Sequence, residues 1–168
     1  MEVVVAAGPD GVHLTQLPEG AGTTVTPEEL PARVAELEDQ HPRWVWADTA
    51  VSYPPLLRAG VRVARCHDLR LCHTILRHAR LTEGSALATA PPGPWDLAEE
   101  HPGDGTPTLL DALGPALRPA DVLAEHDRQQ QAVAGSAEPG RLALLLAAES
   151  VGALVAAEMS HDGLPFST

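Results

Sequence analysis

A run of large apolar residues at 43–47 (RWVWA) places the strongest constraint on how this chain can fold. The run follows Pro42 and ends at Asp48. Successive side chains of a strand point to opposite faces of a sheet, so a strand whose core is Trp-Val-Trp is expected to be buried on both faces. The run therefore predicts a strand in the buried interior of a sheet.

Three shorter strand patterns and a helix precede this run. Residues 3–7 are β-branched and apolar, and the turn 8–11 (GPDG) joins them to a second apolar segment, which predicts a hairpin. Residues 22–25 predict a third, short strand. Thr26 and Pro27 then begin a helix whose apolar face consists of Leu30, Val34 and Leu37.

The alternation of strands and helices continues after the run. A helix is predicted over 52–59, where Gly60 ends it, and a strand over 61–64. Asp68 is interpreted as the cap of a further helix, whose apolar face consists of Leu69, Cys72, Ile75, Leu76 and Ala79. The resulting order is three strands, helix, strand, helix, strand, helix, which is typical of the α/β class.

The second half of the chain is predicted to be mainly helical. Residues 84–107 are rich in Gly and Pro and are expected to form a flexible loop. A short helix is predicted over 108–113 and a longer one over 119–133, with a polar face at 129–131 (QQQ). The longest helical pattern covers 141–161.

The charge of the chain argues against independent binding of nucleic acid. Its net charge is −12, with 23 Asp and Glu against 11 basic residues, all of which are Arg. Proteins that hold phosphate backbones unaided carry clustered basic side chains, whereas the Arg residues here are scattered. We expect weak or no nucleic-acid binding by this chain alone.

Cysteine content and hydropathy predict a cytoplasmic protein. Cys66 and Cys72 are too few for a disulfide framework, and the two Cys-His pairs, six residues apart, do not have a structural zinc spacing. The N-terminus has no basic segment typical of a secretion signal. No apolar stretch reaches the roughly 20 residues of a membrane span, so no membrane association is expected.

Two segments resemble a known family. Residues 141–165 (RLALLLAAESVGALVAAEMSHDGLP) are similar to the junction in family A DNA polymerases where the last exonuclease helix runs into the polymerase thumb. The residues that fit the pattern of that junction are Glu158, Met159, Gly163 and Leu164. Residues 43–79 are similar to the strand–helix–glycine–strand–aspartate–helix block around the family's second exonuclease motif. Both segments most resemble actinobacterial bifunctional 3′–5′ exonuclease/DNA polymerases.

The resemblance implies a ribonuclease H-like fold of the DEDD exonuclease type, with a mixed sheet flanked by helices and a long C-terminal helix. Residues 1–150 would form the exonuclease-like domain, and residues 151–168 would begin the thumb. The implied role is in DNA replication and repair, within a nucleotidyltransferase whose palm, fingers and thumb are the partners. Contact with DNA would pass through those parts. The chain itself carries none of the family's palm or fingers motifs.

The resemblance also implies which positions should carry metal ligands. The two carboxylates of the first motif are missing. Two-metal hydrolysis needs several carboxylates converging on a pair of divalent ions. The family's first motif is Asp-x-Glu on the first strand, where this chain has 3–8 (VVVAAG). Glu2 and Asp10 lie outside that segment.

The second and third motifs are degenerate as well. The second motif, Asn-x-x-x-Asp, places its Asp eight residues before a helix-ending glycine; counting back from Gly60 gives Ser52, with Asp48 at the Asn position. The third motif, Tyr-x-x-x-Asp on the last helix, falls on Leu146 and Ser150. We therefore expect no catalytic residues, no bound metal and no cofactor, and a structural role for the domain.

Two alternatives remain open. An active, proofreading 3′–5′ exonuclease could use Asp48, Asp68 and Glu149 to bind Mg²⁺ or Mn²⁺, although Asp68 is interpreted first as a structural cap. The chain could instead be a stand-alone protein-interaction module, which its net charge and an exposed apolar face on the last helix would favour.

Overall fold

The computed structural model describes residues 1–96 and 117–163, and its centre is a mixed sheet. The five strands are β1 (Glu2–Gly8), β2 (Gly11–Leu17), β3 (Ala21–Val25), β4 (Arg43–Trp46) and β5 (Cys66–Asp68), arranged in the order β3-β2-β1-β4-β5. β1 pairs parallel with β4, and β4 parallel with β5. β2 pairs antiparallel with both β1 and β3.

Six helices accompany the sheet in the described residues. They are α1 (Leu30–Glu38), α2 (Thr49–Arg58), α3 (Leu69–His78), α4 (Ala86–Thr89), α5 (Pro119–Ala134) and α6 (Pro139–Asp162). Short 3₁₀ turns lie at Arg80–Thr82 and Pro94–Asp96. The α/β class, the mixed sheet, the order of elements through α3 and the long last helix are confirmed.

The central strand is buried on both faces, as its sequence predicts. Trp44 and Trp46 belong to an apolar cluster with α1 and α2, which contribute Leu30, Val34, Leu37, Tyr53, Leu56 and Leu57. Val45, between them, points to the other face and packs with Leu69 of α3 and Val122 of α5. Helices therefore cover the sheet on both sides and bury both faces of β4.

The last helix closes the open edge of the sheet at β5. The Ser150 hydroxyl of α6 accepts a hydrogen bond from the Asp68 amide (3.1 Å), and the Cys66 thiol donates to the Ser150 carbonyl (3.4 Å). Leu154 packs into the cluster around Trp44 and Trp46. An uncovered edge strand would expose unpaired backbone groups, so α6 is an integral part of the fold.

The strand predicted over 61–64 is wrong. Sheet pairing begins only at Cys66, opposite Trp44. The amide of Val63 donates to the Tyr53 hydroxyl (3.3 Å), and that of Ala64 donates to the Glu38 carboxylate (2.7 Å). Side chains from α1 and α2 thus accept hydrogen bonds from backbone amides that would otherwise pair with a neighbouring strand. The alternating apolar pattern of residues 61–64 belongs to the connection between α2 and β5.

The flexible loop predicted over 84–107 is wrong for the part that the structure describes. Residues 84–96 include α4, and Leu87 and Trp95 are buried among core side chains. The Arg77 guanidinium donates to the Leu87 carbonyl (3.1 Å) and the Ala90 carbonyl (2.9 Å). Two apolar anchors and one Arg fix a segment whose Gly and Pro content predicted a loop. The rest of that segment and the predicted helix 108–113 lie outside the described residues.

The expected domain boundary at residue 150 falls inside a continuous helix. α6 runs without interruption from Pro139 to Asp162, and Leu154, beyond the boundary, is buried. Near its end, Glu158 accepts a hydrogen bond from the Tyr53 hydroxyl (2.6 Å), and Arg62 contacts both Glu158 (3.0 Å) and Asp162 (2.8 Å). The helix is fastened to α2 and the following connection along its C-terminal half.

Candidate functional site

A shallow cleft lies where the parallel strands β1 and β4 end. Its described lining consists of Val5, Ala6, Ala7, Ala47, Asp48, Val51, Ser52, Leu117 and Val122. In open α/β sheets, ligands generally bind outside the carboxyl ends of the strands. β1 has a parallel neighbour on one side and an antiparallel one on the other, so this position is the natural candidate site.

The first strand contributes only aliphatic side chains to the cleft. Val5, Ala6 and Ala7 lie in the segment where an Asp-x-Glu pair would be needed. Glu2, at the opposite end of β1, contacts His126 (3.2 Å), and Asp10, in the hairpin turn, contacts His13 (2.8 Å). Both acidic residues near this segment are therefore engaged elsewhere.

Asp48 and Ser52 reach the cleft together, but Asp48 serves as a helix cap. One carboxylate oxygen accepts a hydrogen bond from the Ala50 amide (2.8 Å), and the other lies 3.8 Å from Nε of Arg70. The amide of Ser52 donates to the Asp48 carbonyl (2.9 Å) in the first turn of α2. Among the described lining residues, Asp48 alone carries a carboxylate.

The positions predicted for the third motif lie away from the cleft. Leu146 is buried among apolar side chains of α3, α4 and α5. The Ser150 hydroxyl donates to the Leu146 carbonyl (2.8 Å) and lies 3.6 Å from the Cys72 thiol. Besides α2, the helix that reaches the cleft is α5, through Val122. The third motif was counted on the last helix, α6, but α6 packs beside β5 and contributes no residue to the described lining of the cleft.

Asp68 is the structural cap that the sequence predicts, and it also has a second role. One carboxylate oxygen accepts from the Leu71 amide (2.9 Å) at the start of α3, and the other accepts from the Thr49 amide (2.7 Å) at the start of α2. Burial raises the pKa of this carboxyl group, and the two amides oppose that shift. Asp68 joins two helix starts that are remote in sequence.

The three carboxylates of the exonuclease alternative do not form a metal site. Asp48 and Asp68 sit at neighbouring helix starts, whereas Glu149 is on the exposed side of α6. Across residues 1–96 and 117–163, no group of three or more His, Cys, Asp or Glu side chains is arranged to hold a metal ion.

A buried polar network lies between α3 and α5, and the sequence interpretation did not predict it. Glu125 and Gln129 are fully buried, and the Gln129 amide donates to the Glu125 carboxylate (2.8 Å). Gln129 also contacts His67 (2.8 Å), and His73 contacts Glu125 (2.8 Å). Glu125 and Gln129 are four residues apart and share the inward face with Val122, so helical periodicity could have revealed their burial.

Burial shifts the pKa values of the titratable groups beside this network so that their neutral forms are favoured. Burial lowers the pKa of His67, which favours the neutral imidazole. Burial raises the pKa of Cys66 and of Cys72 to about 12, so both remain thiols at neutral pH. A thiol is a poor nucleophile and a poor metal ligand compared with a thiolate. Packing and hydrogen bonding are the roles that this geometry gives the two cysteines.

The last helix is more apolar than the sequence interpretation allowed. Within the described residues, α6 is the one helix that is long and apolar enough to cross a membrane, with a mean hydropathy of 1.8. Leu142, Leu146, Ser150 and Leu154 nevertheless lie buried against the rest of the fold. Only 22% of the apolar window of α6 is buried within the described structure, so most of that window is exposed.

Comparisons with protein-family models, with curated proteins and with solved structures give no significant match to this chain.

The hydrogen bonds of Ser150 lead to a stability prediction. We expect Ser150→Ala to lower the free energy of unfolding by about 1–3 kcal/mol, because it leaves the buried Asp68 amide without its acceptor. Ser160→Ala is the matched control, since the Ser160 hydroxyl makes the same bond to the carbonyl four residues back (2.8 Å) but is exposed. Urea denaturation would measure both. Equal losses in the two variants would contradict the proposed role of Ser150.

Proposed function

We propose that this chain is the exonuclease-like domain of a family A DNA polymerase and that it is structural rather than catalytic. The observation that carries the proposal is the lining of the cleft at the ends of β1 and β4. Val5, Ala6 and Ala7 occupy the strand end where carboxylates would bind metal, and Asp48 is held as a helix cap. Divalent ions held for phosphodiester hydrolysis need several anionic oxygens, and the lining that the structure describes supplies one carboxylate.

The sheet arrangement supports the ribonuclease H-like part of the proposal. Its order is β3-β2-β1-β4-β5, with β2 antiparallel to its neighbours and the other strands parallel to one another. This is the layout that the family's exonuclease domain would have. One fold can host many functions, so the cleft and not the sheet order supports the functional part of the proposal.

The charge of the chain supports a partner-dependent role. With a net charge of −12, the domain would repel a phosphate backbone rather than bind it independently. The proposed partners are the palm, fingers and thumb of the polymerase, and DNA would be reached through them. The corresponding location is the cytoplasm of a bacterial cell.

A protein-interaction module is the second candidate. The observation that favours it is the set of large apolar side chains that α6 exposes: Leu144, Leu145, Val151, Val155 and Met159. Such clustering on one element is typical of a binding surface. The two candidates are compatible, because a structural domain of a polymerase also has to bind its neighbours.

A nuclease assay tests the structural assignment. We expect no shortening of a 5′-labelled single-stranded oligonucleotide in the presence of Mg²⁺ or Mn²⁺, because the described lining of the cleft has one carboxylate and it is engaged as a cap. Asp48→Asn is the matched variant, since it removes that carboxylate while keeping a capping oxygen. Metal-dependent shortening from the 3′ end that is lost in Asp48→Asn would contradict the proposal.

The coding sequence beyond codon 168 tests the family assignment separately. We expect it to encode the palm and fingers motifs of a family A polymerase. A stop codon directly after Thr168, with those motifs absent from the operon, would rule out the polymerase and leave the interaction module.

A further inference from the structure

The exposed side of α6 carries most of the large hydrophobic side chains that the described residues expose. Of the seven large hydrophobic side chains exposed in residues 1–96 and 117–163, five lie on this helix. We call these five the α6 stripe: Leu144, Leu145, Val151, Val155 and Met159. Their relative exposures range from 44% to 72%, so they pack little against their own domain. An apolar patch of this kind on a domain indicates an interaction surface.

The shape of the α6 stripe fits a second helix. Leu144, Val151, Val155 and Met159 follow helical spacing and share one side of α6. At 1.5 Å per residue, the stripe is about 22 Å long, and it is one helix face wide. The opposite side of α6 is already buried through Leu146 and Ser150. A straight, narrow surface of this length matches one partner helix of similar length.

A line of small residues runs along the same side. Ala148, Gly152 and Ala156 are exposed and recur every fourth residue. Outside its own helix, a Cβ added to Gly152 would have no neighbour within 4 Å in the described structure. Glycine weakens a helix interior, and packing within the domain gives no reason for it here. Close approach by another backbone does give a reason, since the missing side chain leaves space for it.

The charges around the stripe define the partner's chemistry. Between residues 142 and 157, Glu149 is the only charged side chain, and the whole chain carries a net charge of −12. Electrostatic complementarity therefore favours basic flanks on the partner. It disfavours a second copy of this acidic chain and an anionic lipid surface. Spanning a membrane would also require release of the buried side of α6.

We infer that the α6 stripe binds one amphipathic α-helix whose seam consists of Leu and Ala and whose flanks carry Lys and Arg. The partner's seam packs along Ala148, Gly152 and Ala156, and its basic flank lies near Glu149. The binding surface is separate from the cleft at the ends of β1 and β4. It exists whether or not the domain belongs to a polymerase.

The test uses the intact chain and two synthetic peptides of about 18 residues, long enough to cover the stripe. Both peptides carry the same Leu/Ala seam, and their flanks are Lys/Arg in one and Glu in the other. We expect fluorescence anisotropy to show binding of the basic peptide that is at least about tenfold tighter than that of the acidic one. Equal binding of the two peptides, or binding of neither, would overturn the inference.

Surface variants locate the binding site. Val155→Glu and Gly152→Leu should each weaken binding of the basic peptide about tenfold, by charging the seam or by filling the space for the partner's backbone. Leu71→Glu is the matched control, because Leu71 is similarly exposed (41%) but lies on α3, and it should bind as the unchanged chain does. Circular dichroism establishes that each variant is folded. Undiminished binding by folded Val155→Glu and Gly152→Leu would overturn the assignment to α6.

Other occupants of the stripe would give different results. Light scattering of the unchanged chain should show a monomer, and sedimentation with phosphatidylglycerol vesicles should leave the chain in solution. A dimer that Val155→Glu dissociates would identify a second copy as the occupant. Vesicle binding that the same substitution removes would identify a membrane. Either result would overturn the inference of a basic helix.

Discussion

The buried carboxylate of Asp68 is the interaction on which the rest of this structure depends. It accepts the Leu71 amide at the start of α3 and the Thr49 amide at the start of α2, while its own amide donates to Ser150 of α6. Three helices are thereby fixed around the end of one short strand. Helix starts favour negative charge, so two of them offset part of the free energy needed to bury an ionised carboxylate.

This arrangement also fixes the cleft beside it. With α2 held at Thr49, Asp48 caps that helix and lies at the edge of the cleft beside Ser52. The end of β1 contributes Val5, Ala6 and Ala7 to the lining, and the other described lining residues, Ala47, Val51, Leu117 and Val122, are also apolar. The acidic groups of this region thus hold backbone amides, whereas a two-metal nuclease would direct them at cations.

The features that the sequence predicted correctly are those that depend on neighbouring residues in the chain. The Trp44–Trp46 strand, the β1–β2 hairpin and the cap at Asp68 follow from periodicity, turn residues and helix-start chemistry. Features that depend on distant partners could not be predicted in this way. Tyr53 and Glu38 take the amides of Val63 and Ala64, Trp95 anchors a Gly/Pro-rich segment, and Ser150 faces β5. Motif counting matched Ser150 to the position of the third motif's Asp, because spacing along the chain does not specify which side of a helix faces which strand.

Mn²⁺ titration followed by amide NMR signals tests most directly whether the cleft binds divalent ions. A bound paramagnetic ion broadens the signals of the nearest amides. At millimolar Mn²⁺, the amides of Ala7 and Asp48 should broaden no more than that of Glu149, an exposed acidic residue remote from the cleft. Selective broadening at Ala7 and Asp48 that chelation reverses would contradict the account.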